Sequence, residues 1–215
     1  MPIVVFAGRK GGCGKTTGAT NFAAWLSMRG ESVALLDSDP ERQAQSFAAL
    51  RGMQPGLTQF PFEYVTGDIR RTVLGMAAEY KWVIVDTPGL DSIETKRAVA
   101  LSHLAVFPFK TSIYDLKTMP LADHLAQEVQ SVRPDMVAVC YPNETGAGPA
   151  GEKNREQAKE RLGRLESLKI ATGFTVARTA YKQSADSGAG VCEWTDKKAA
   201  DEFEALAKEL VSYVE

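Results

Sequence analysis

The segment Gly8-Arg-Lys-Gly-Gly-Cys-Gly-Lys-Thr-Thr17 lies between an apolar run, Ile3 to Ala7, and a helical pattern that opens at Thr16. A strand, a glycine-rich turn and a helix that begins with Lys-Thr together make a phosphate cradle. Gly11, Gly12 and Gly14 let the backbone curl with its N–H groups pointing inward, and the helix N-terminus adds its partial positive charge. Lys15 is placed to reach the β- and γ-phosphates of a nucleotide, and the Thr16 hydroxyl to hold Mg²⁺. Cys13 and Thr17 belong to the same nucleotide-wrapping run.

Two more strand ends deliver carboxylates. Ser32 to Leu36 is a short apolar run followed by Asp37-Ser-Asp39-Pro40, and Trp82 to Val85 is followed by Asp86-Thr-Pro-Gly89. Open α/β sheets bind ligands at the C-terminal ends of their strands, where these acids fall. An apolar strand ending in Asp is the Walker B arrangement, which puts Asp86 near Mg²⁺. Asp-Thr-Pro-Gly also suits a switch that senses the γ-phosphate, with Gly89 free to flip. Asp39 has a second reading, as the N-cap of a helix from Glu41 to Leu50.

The rest of the chain keeps alternating strand and helix. Helix one, Thr16 to Arg29, places Phe22, Ala23, Trp25 and Leu26 on an apolar face and stops at Gly30. Arg51 to Gln59 reads as a polar loop, and Phe60 to Val65 as a strand at or near a sheet edge because Pro61 interrupts it. A helix follows Gly67-Asp68 to Glu79. His103 to Phe109 and Met136 to Cys140 are strands, with a helix from Asp115 to Val132 between them. Glu144 to Gly151 reads as a mobile Gly- and Pro-containing loop. The mixed charges of Glu152 to Ser167 read as a solvated helix with ion pairs along its face. The last helix, Asp196 to Val214, aligns Phe203, Leu206, Leu210 and Val211 on one side. The pattern predicts one α/β domain over 1–215, a doubly wound, mostly parallel sheet of about seven strands flanked by helices.

Composition narrows the class. No apolar run approaches the roughly 18 residues that a membrane helix needs, and Met1-Pro2 leads straight into the first strand, so neither a span nor a secretory leader is expected. The three cysteines, Cys13, Cys140 and Cys192, are scattered without a C-x-x-C pair, which favours a reducing cytoplasm over zinc or an iron–sulfur cluster. A net charge of −2 means that any nucleic-acid contact must come from a local basic patch. His103 and His124 read as structural or surface residues.

The ordinary phosphate-loop pattern wants glycine where this chain has Arg9. What stands here is K-G-G-x-G-K-T-T, with a second lysine, Lys10, inside the loop. That run, followed by D-x-D-P and V-D-T-P-G, resembles the deviant Walker A loop of the ParA/MinD superfamily, and the chain is similar to a small ParA-type ATPase over nearly its whole length. The resemblance implies ATP and Mg²⁺ as cofactors. It implies that Lys10 crosses a homodimer interface to the partner's nucleotide, as an arginine finger does in trans. It puts Asp39 at the attacking water, Asp37 near the Mg²⁺ shell, and Asn143 against adenine although the local pattern departs from the common one. Asp91 to Ala98 resembles the helix after the switch. Thr111-Ser-Ile-Tyr-Asp115 stands where the family has P-S-x-x-D, packed at the dimer interface and against partners.

Phe174 to Arg178, Tyr181 to Ala185, Gly188 and Val191 resemble the family's C-terminal signature, an Arg after the last strand followed by a short helix and a glycine. With Lys197-Lys198 this makes Arg178, Lys182, Lys197 and Lys198 the candidate set for sequence-independent DNA contact. Four charges imply weak binding per subunit, which dimerisation would double. The final helix is acidic and ends in Glu215, which argues against the lipid-binding tail of MinD-type relatives.

The implied function is a partition ATPase, nucleoid-associated in a bacterial cytoplasm. An ATP sandwich dimer binds DNA and is released when a cargo adaptor, such as a ParB-like centromere-binding protein, stimulates hydrolysis. With no segment ahead of the first strand, the helix-turn-helix domain of larger ParA proteins is not expected. Positioning of a protein assembly or a conjugative DNA-processing complex is the alternative within the family. A metabolic ligase acting on a small molecule is the alternative outside it, disfavoured by the basic C-terminal signature. The reductase branch needs cluster-binding cysteines after the Walker B strand, a GTPase needs N-K-x-D, and neither occurs; a non-hydrolysing scaffold would dispense with Asp39.

Overall fold

The computed structural model describes residues 1–9 and 11–215; Lys10, and with it the trans contact expected of that residue, lies outside the described residues. From the N-terminus the chain runs through β1 (Ile3–Phe6), α1 (Lys15–Met28), β2 (Val33–Asp37), α2 (Gln43–Gly52), β3 (Phe62–Tyr64), α3 (Arg70–Glu79) and β4 (Trp82–Asp86). It continues through α4 (Ile93–Leu101), β5 (Leu104–Phe109), α5 (Ile113–Leu116), α6 (Met119–Gln130), β6 (Val137–Pro142), α7 (Gly148–Leu162) and β7 (Leu168–Ile170). α8 (Thr179–Ala185), a 3₁₀ turn at Val191–Glu193 and α9 (Lys197–Val211) complete it.

The seven strands form one sheet in the order β3-β2-β4-β1-β5-β6-β7, and every pairing is parallel. The expectation of a mostly parallel sheet is therefore met by a wholly parallel one. Parallel strands bury both faces, so their residues feed two cores in alternation. Ile3 and Val5 of β1 point into one core with α3, α4 and α6, while Val4 and Phe6 point into the other with α1 and α9. α1 lies in that second core and is buried nearly all round, not along the single face expected. Phe22 packs between Phe6, Trp25 and Trp82, with ring centroids about 6 Å apart.

Elsewhere the structure moves several expected boundaries. β7 is Leu168–Ile170, where no strand was expected, and 174–178 contributes only an isolated bridge from Val176 to Thr145. The carboxylate of Asp123 on α6 accepts the backbone N–H groups of Ser167 and Leu168 at 2.9 Å each, which fixes the entry to β7. α7 begins at Gly148 within the expected loop: Pro149 suits a first helical turn, where an N–H has no partner to lose. The helix expected from Asp115 to Val132 is two pieces, α5 and α6, separated at 117–118. β3 lies at the sheet edge, as Pro61 predicts. No helix among the described residues is long and apolar enough to cross a membrane.

Candidate active site

The central strands β1, β2, β4, β5 and β6 end on one side of the sheet, and their C-terminal extensions build the site. After β1 the chain curls through the glycine-rich loop into α1. Gly12 and Gly14 take the left-handed backbone, with φ of 73° and 107°, that only glycine adopts freely. At Gly14 space also demands it, because a Cβ there would lie 2.1 Å from Nδ2 of Asn143. That amide donates to the Cys13 carbonyl at 2.8 Å, and its Oδ1 accepts from the Thr175 hydroxyl at 2.7 Å. Both ends of the Asn143 side chain are thus engaged within the protein, clamping the phosphate loop to β6, and Asn143 also lines a neighbouring cavity. Cys13 is buried, and burial pushes its thiol above the ordinary value, so it packs as a neutral side chain.

Lys15 and Thr16 open α1. Lys15 is buried at the floor of the loop, and the Thr16 hydroxyl donates to Oδ2 of Asp86 at 2.6 Å. Asp86 is wholly buried, and its other oxygen, Oδ1, has no hydrogen-bond partner among the described residues. Burial raises the Asp86 carboxyl to about 7. The Thr16 bond opposes that rise and the nearby Asp37 adds to it. A buried carboxylate with one unused oxygen beside a hydroxyl is a hard oxygen donor set that suits Mg²⁺, whose charge would offset the desolvation.

The two aspartates after β2 divide their work. Asp37 is buried, and its two oxygens accept the backbone N–H groups of Asp39 and Gln45, both at 2.9 Å. It therefore shapes the turn and caps the start of α2, a task expected of Asp39 as an alternative reading. Burial raises the Asp37 carboxyl above its ordinary value, against the pull of those N–H groups. With both oxygens accepting backbone N–H groups, Asp37 supports the cleft from behind, close enough to Asp86 to raise its carboxyl. Asp39 is half-buried and faces a cleft of about 350 Å³ whose other walls are Gly11, Gly12, Gly14, Lys15, Thr16, Pro88 and Gly89. That places the expected water-handling carboxylate opposite the phosphate loop.

The segment after β4 leans on the same loop. Thr87 donates to the Phe6 carbonyl at 2.9 Å, and Thr95 donates to the carbonyls of Pro88 and Gly89 at 3.2 and 3.0 Å. A Cβ at Gly89 would approach the Arg9 carbonyl to 3.4 Å, so the switch segment touches the phosphate loop through backbone. Thr17 and Glu144 border the cleft and also line a second cavity of about 560 Å³, with Thr175, Ala177, Tyr181 and Ala185 around it. Glu144 and Thr175 carry no sequence signal for this role; they reach the site only because β6 and the 174–178 segment converge there.

The chain belongs to the CobQ/CobB/MinD/ParA nucleotide-binding domain family. The family model matches residues 4–213. Members of the ParA/MinD family are ATPases, and this chain is one. Among similar proteins is the maintenance of carboxysome distribution protein A of Halothiobacillus neapolitanus, 27% identical over 210 residues that span 95% of this chain and 94% of that one. Protein ParA of Rhizobium radiobacter is 30% identical over 115 residues, 54% of this chain and 51% of that one. Among solved structures, apo McdA of Cyanothece superposes with a TM-score of 0.77 at 16% identity, covering 98% of this chain and 99% of that chain. The shared fold is that of the ParA/MinD ATPases.

Of the candidate DNA-contacting residues on the ATPase's C-terminal elements, Arg178 and Lys182 line the second cavity, while Lys197 and Lys198 line neither the cleft nor that cavity. Lys182 on α8 and Lys197 and Lys198 at the start of α9 are exposed. Arg178 is different: Nη2 and Nε contact Oε1 and Oε2 of Glu202 at 2.5 and 3.2 Å. Its charge is neutralised within the chain, which reduces the free set from four cations to three. Sequence reading also missed Arg51, expected in a loop but 1% exposed near the end of α2. Its guanidinium binds both oxygens of Glu193 at 2.8 and 2.7 Å, the Thr58 carbonyl at 2.8 Å and the Gly188 carbonyl at 3.1 Å. It thereby joins α2 to the segment that precedes α9.

Proposed function

We propose that this ATPase positions cargo through an ATP-gated homodimer that binds DNA without sequence preference and is released by partner-stimulated hydrolysis. The observation that carries the reading is the pairing of a one-sided cleft with exposed lysines on the C-terminal elements, Lys182 at the rim of the neighbouring cavity and Lys197 and Lys198 beyond it. Gly11 and Gly12 are exposed at the cleft mouth while Lys15, Thr16 and Asp39 line its inner wall, with the buried Asp86 behind Thr16. An inner wall ready for nucleotide with an open outer side is suited to completion by a second subunit, to which Lys10 would contribute.

Within each subunit the chemistry is mostly positioning. The loop N–H groups and the α1 N-terminus hold the phosphates, and Lys15 neutralises the terminal pair. Mg²⁺, held by Thr16 with Asp86 beside it, would supply charge stabilisation for the transferring phosphoryl group. Asp39 orients the attacking water, and Asp37 keeps Asp39 in place through the backbone.

The exposed lysines support DNA contact. Lys197 and Lys198 sit in the first turn of α9, where the helix dipole disfavours cations, so helix stability does not account for them. Three free cations per subunit make a weak, salt-sensitive contact that a dimer strengthens by presenting two patches. The similarity to a carboxysome-distribution protein and to a ParA protein frames the cargo as a protein assembly or a DNA locus, held through an adaptor.

The test is binding to random-sequence duplex DNA with ATP or ADP, for wild type and for the triple variant Lys182→Ala, Lys197→Ala, Lys198→Ala. ATP-specific binding that is lost in the triple variant, and lost in the double variant Lys197→Ala, Lys198→Ala with hydrolysis intact, supports the reading. Equal binding in both nucleotide states, or binding untouched by the triple variant, refutes the assignment of this patch.

A further inference from the structure

The nucleotide cleft and the neighbouring cavity meet at two residues, Thr17 and Glu144, which line both. The first space is the phosphate site by its loop and helix terminus. The second is walled by Ala177, Tyr181 and Ala185 together with Asn143, Thr175, Arg178, Thr179 and Lys182, a mixed apolar and polar lining that suits a base. In a nucleoside triphosphate the sugar lies between phosphates and base. Glu144 therefore stands where the ribose must pass.

Its backbone is held there against preference. Glu144 has φ of 51°, a left-handed conformation rare for a residue with a side chain. The Thr175 hydroxyl accepts its N–H at 3.0 Å, while Thr145 donates to the Thr175 carbonyl from its N–H at 2.9 Å and from its hydroxyl at 3.0 Å. Strained backbone that the surroundings over-determine is a mark of functional positioning. A bare carboxylate beside a triphosphate would repel it, but Lys110 at the end of β5 pairs with Glu144 Oε2 at 2.6 Å. The pair is neutral overall, and a carboxylate keeps further lone pairs for hydroxyl donors.

We infer that Glu144 reads the sugar, accepting hydrogen bonds from the ribose hydroxyls and so selecting ribonucleotides over deoxyribonucleotides. Lys110 is the positioning residue that keeps this acceptor compatible with phosphate nearby. The selection matters chemically because the candidate base-binding wall contacts a face common to both sugar forms and offers no discrimination of its own.

The experiment measures the Kd of ATP, 2′-deoxy-ATP and 3′-deoxy-ATP for wild type, Glu144→Gln and Glu144→Gly. Glycine relieves the left-handed backbone, so this variant keeps the fold while losing the acceptor. Wild type should bind at least one deoxy form about tenfold more weakly than ATP, the worth of one hydrogen bond to a charged group. In Glu144→Gly that ratio should fall to about one, through weaker ATP binding with deoxy binding little changed. Glu144→Gln, which keeps a neutral acceptor, should retain part of the discrimination. Equal affinities for all three nucleotides in wild type, or full discrimination retained in Glu144→Gly, would overturn the proposal.

Discussion

Asp86→Asn separates what the buried carboxylate does for stability from what it does for catalysis. Asp86 is wholly buried, and its carboxyl rises from 3.8 in the unfolded chain to about 7 in the fold, chiefly through burial. A rise of that size corresponds to about 4 kcal/mol of differential interaction between the two protonation states. The native state binds more protons than the unfolded state between these two values. Its favourable contribution is therefore complete below the unfolded value and is lost as pH rises through the folded one. Asparagine has no such titration, so costs of the substitution itself are the same at every pH. Urea unfolding of the nucleotide-free protein, in chelator, at about pH 5 and about pH 8 isolates the term. The stability of the variant relative to wild type should improve by about 2–3 kcal/mol from the lower pH to the higher. Mg²⁺-dependent hydrolysis should fall by at least about a hundredfold in the same variant. A relative stability that stays flat or worsens with pH would refute the claim that Asp86 is a desolvated carboxylate waiting for a cation.

Three further substitutions probe the frame around it. Gly14→Ala should abolish nucleotide binding in a titration with a fluorescent ATP analogue, since its Cβ would lie 2.1 Å from Asn143 and strain a φ of 107°. Arg51→Met strands Glu193 in a buried site and should cost about 3–5 kcal/mol in chemical denaturation. Losing under about 1 kcal/mol would show that the pair is only a surface contact. Asp39→Ala should leave ATP affinity within about twofold while lowering turnover by about a hundredfold, as read by equilibrium binding and phosphate release. A matching loss of affinity would assign Asp39 to binding instead.

The phosphate loop, the strands that end in Asp37 and Asp86, and the sheet edge at Pro61 were legible because each is a local signal. An apolar run, a turn and a charged residue at its end need no distant partner to be recognised. β7 was not legible, because Leu168–Ile170 is short and is fixed by β6 and by Asp123, 44 positions before Ser167. The start of α7 was hidden by its Gly-Pro opening, which looks like a loop until Gly151 is seen packed on Gly146 with no room for a Cβ. Arg51 was misread for the opposite reason. Within a polar stretch a charged residue reads as solvated, and only Glu193, far along the chain, makes it a buried one. The division between Asp37 and Asp39 also waited on geometry, since two carboxylates two residues apart point in different directions only once the turn is formed.

The central claim is that ATP drives two copies together and thereby creates the DNA-binding state. The most direct measurement is sedimentation with a fluorescent random-sequence duplex, for wild type and Lys10→Ala, in ATP, ADP and no nucleotide. The account predicts a dimer that carries DNA only in wild type with ATP, and a monomer without DNA in every other condition. A Lys10→Ala protein that dimerises and binds DNA as wild type does, or a wild-type monomer that binds DNA without nucleotide, would contradict it.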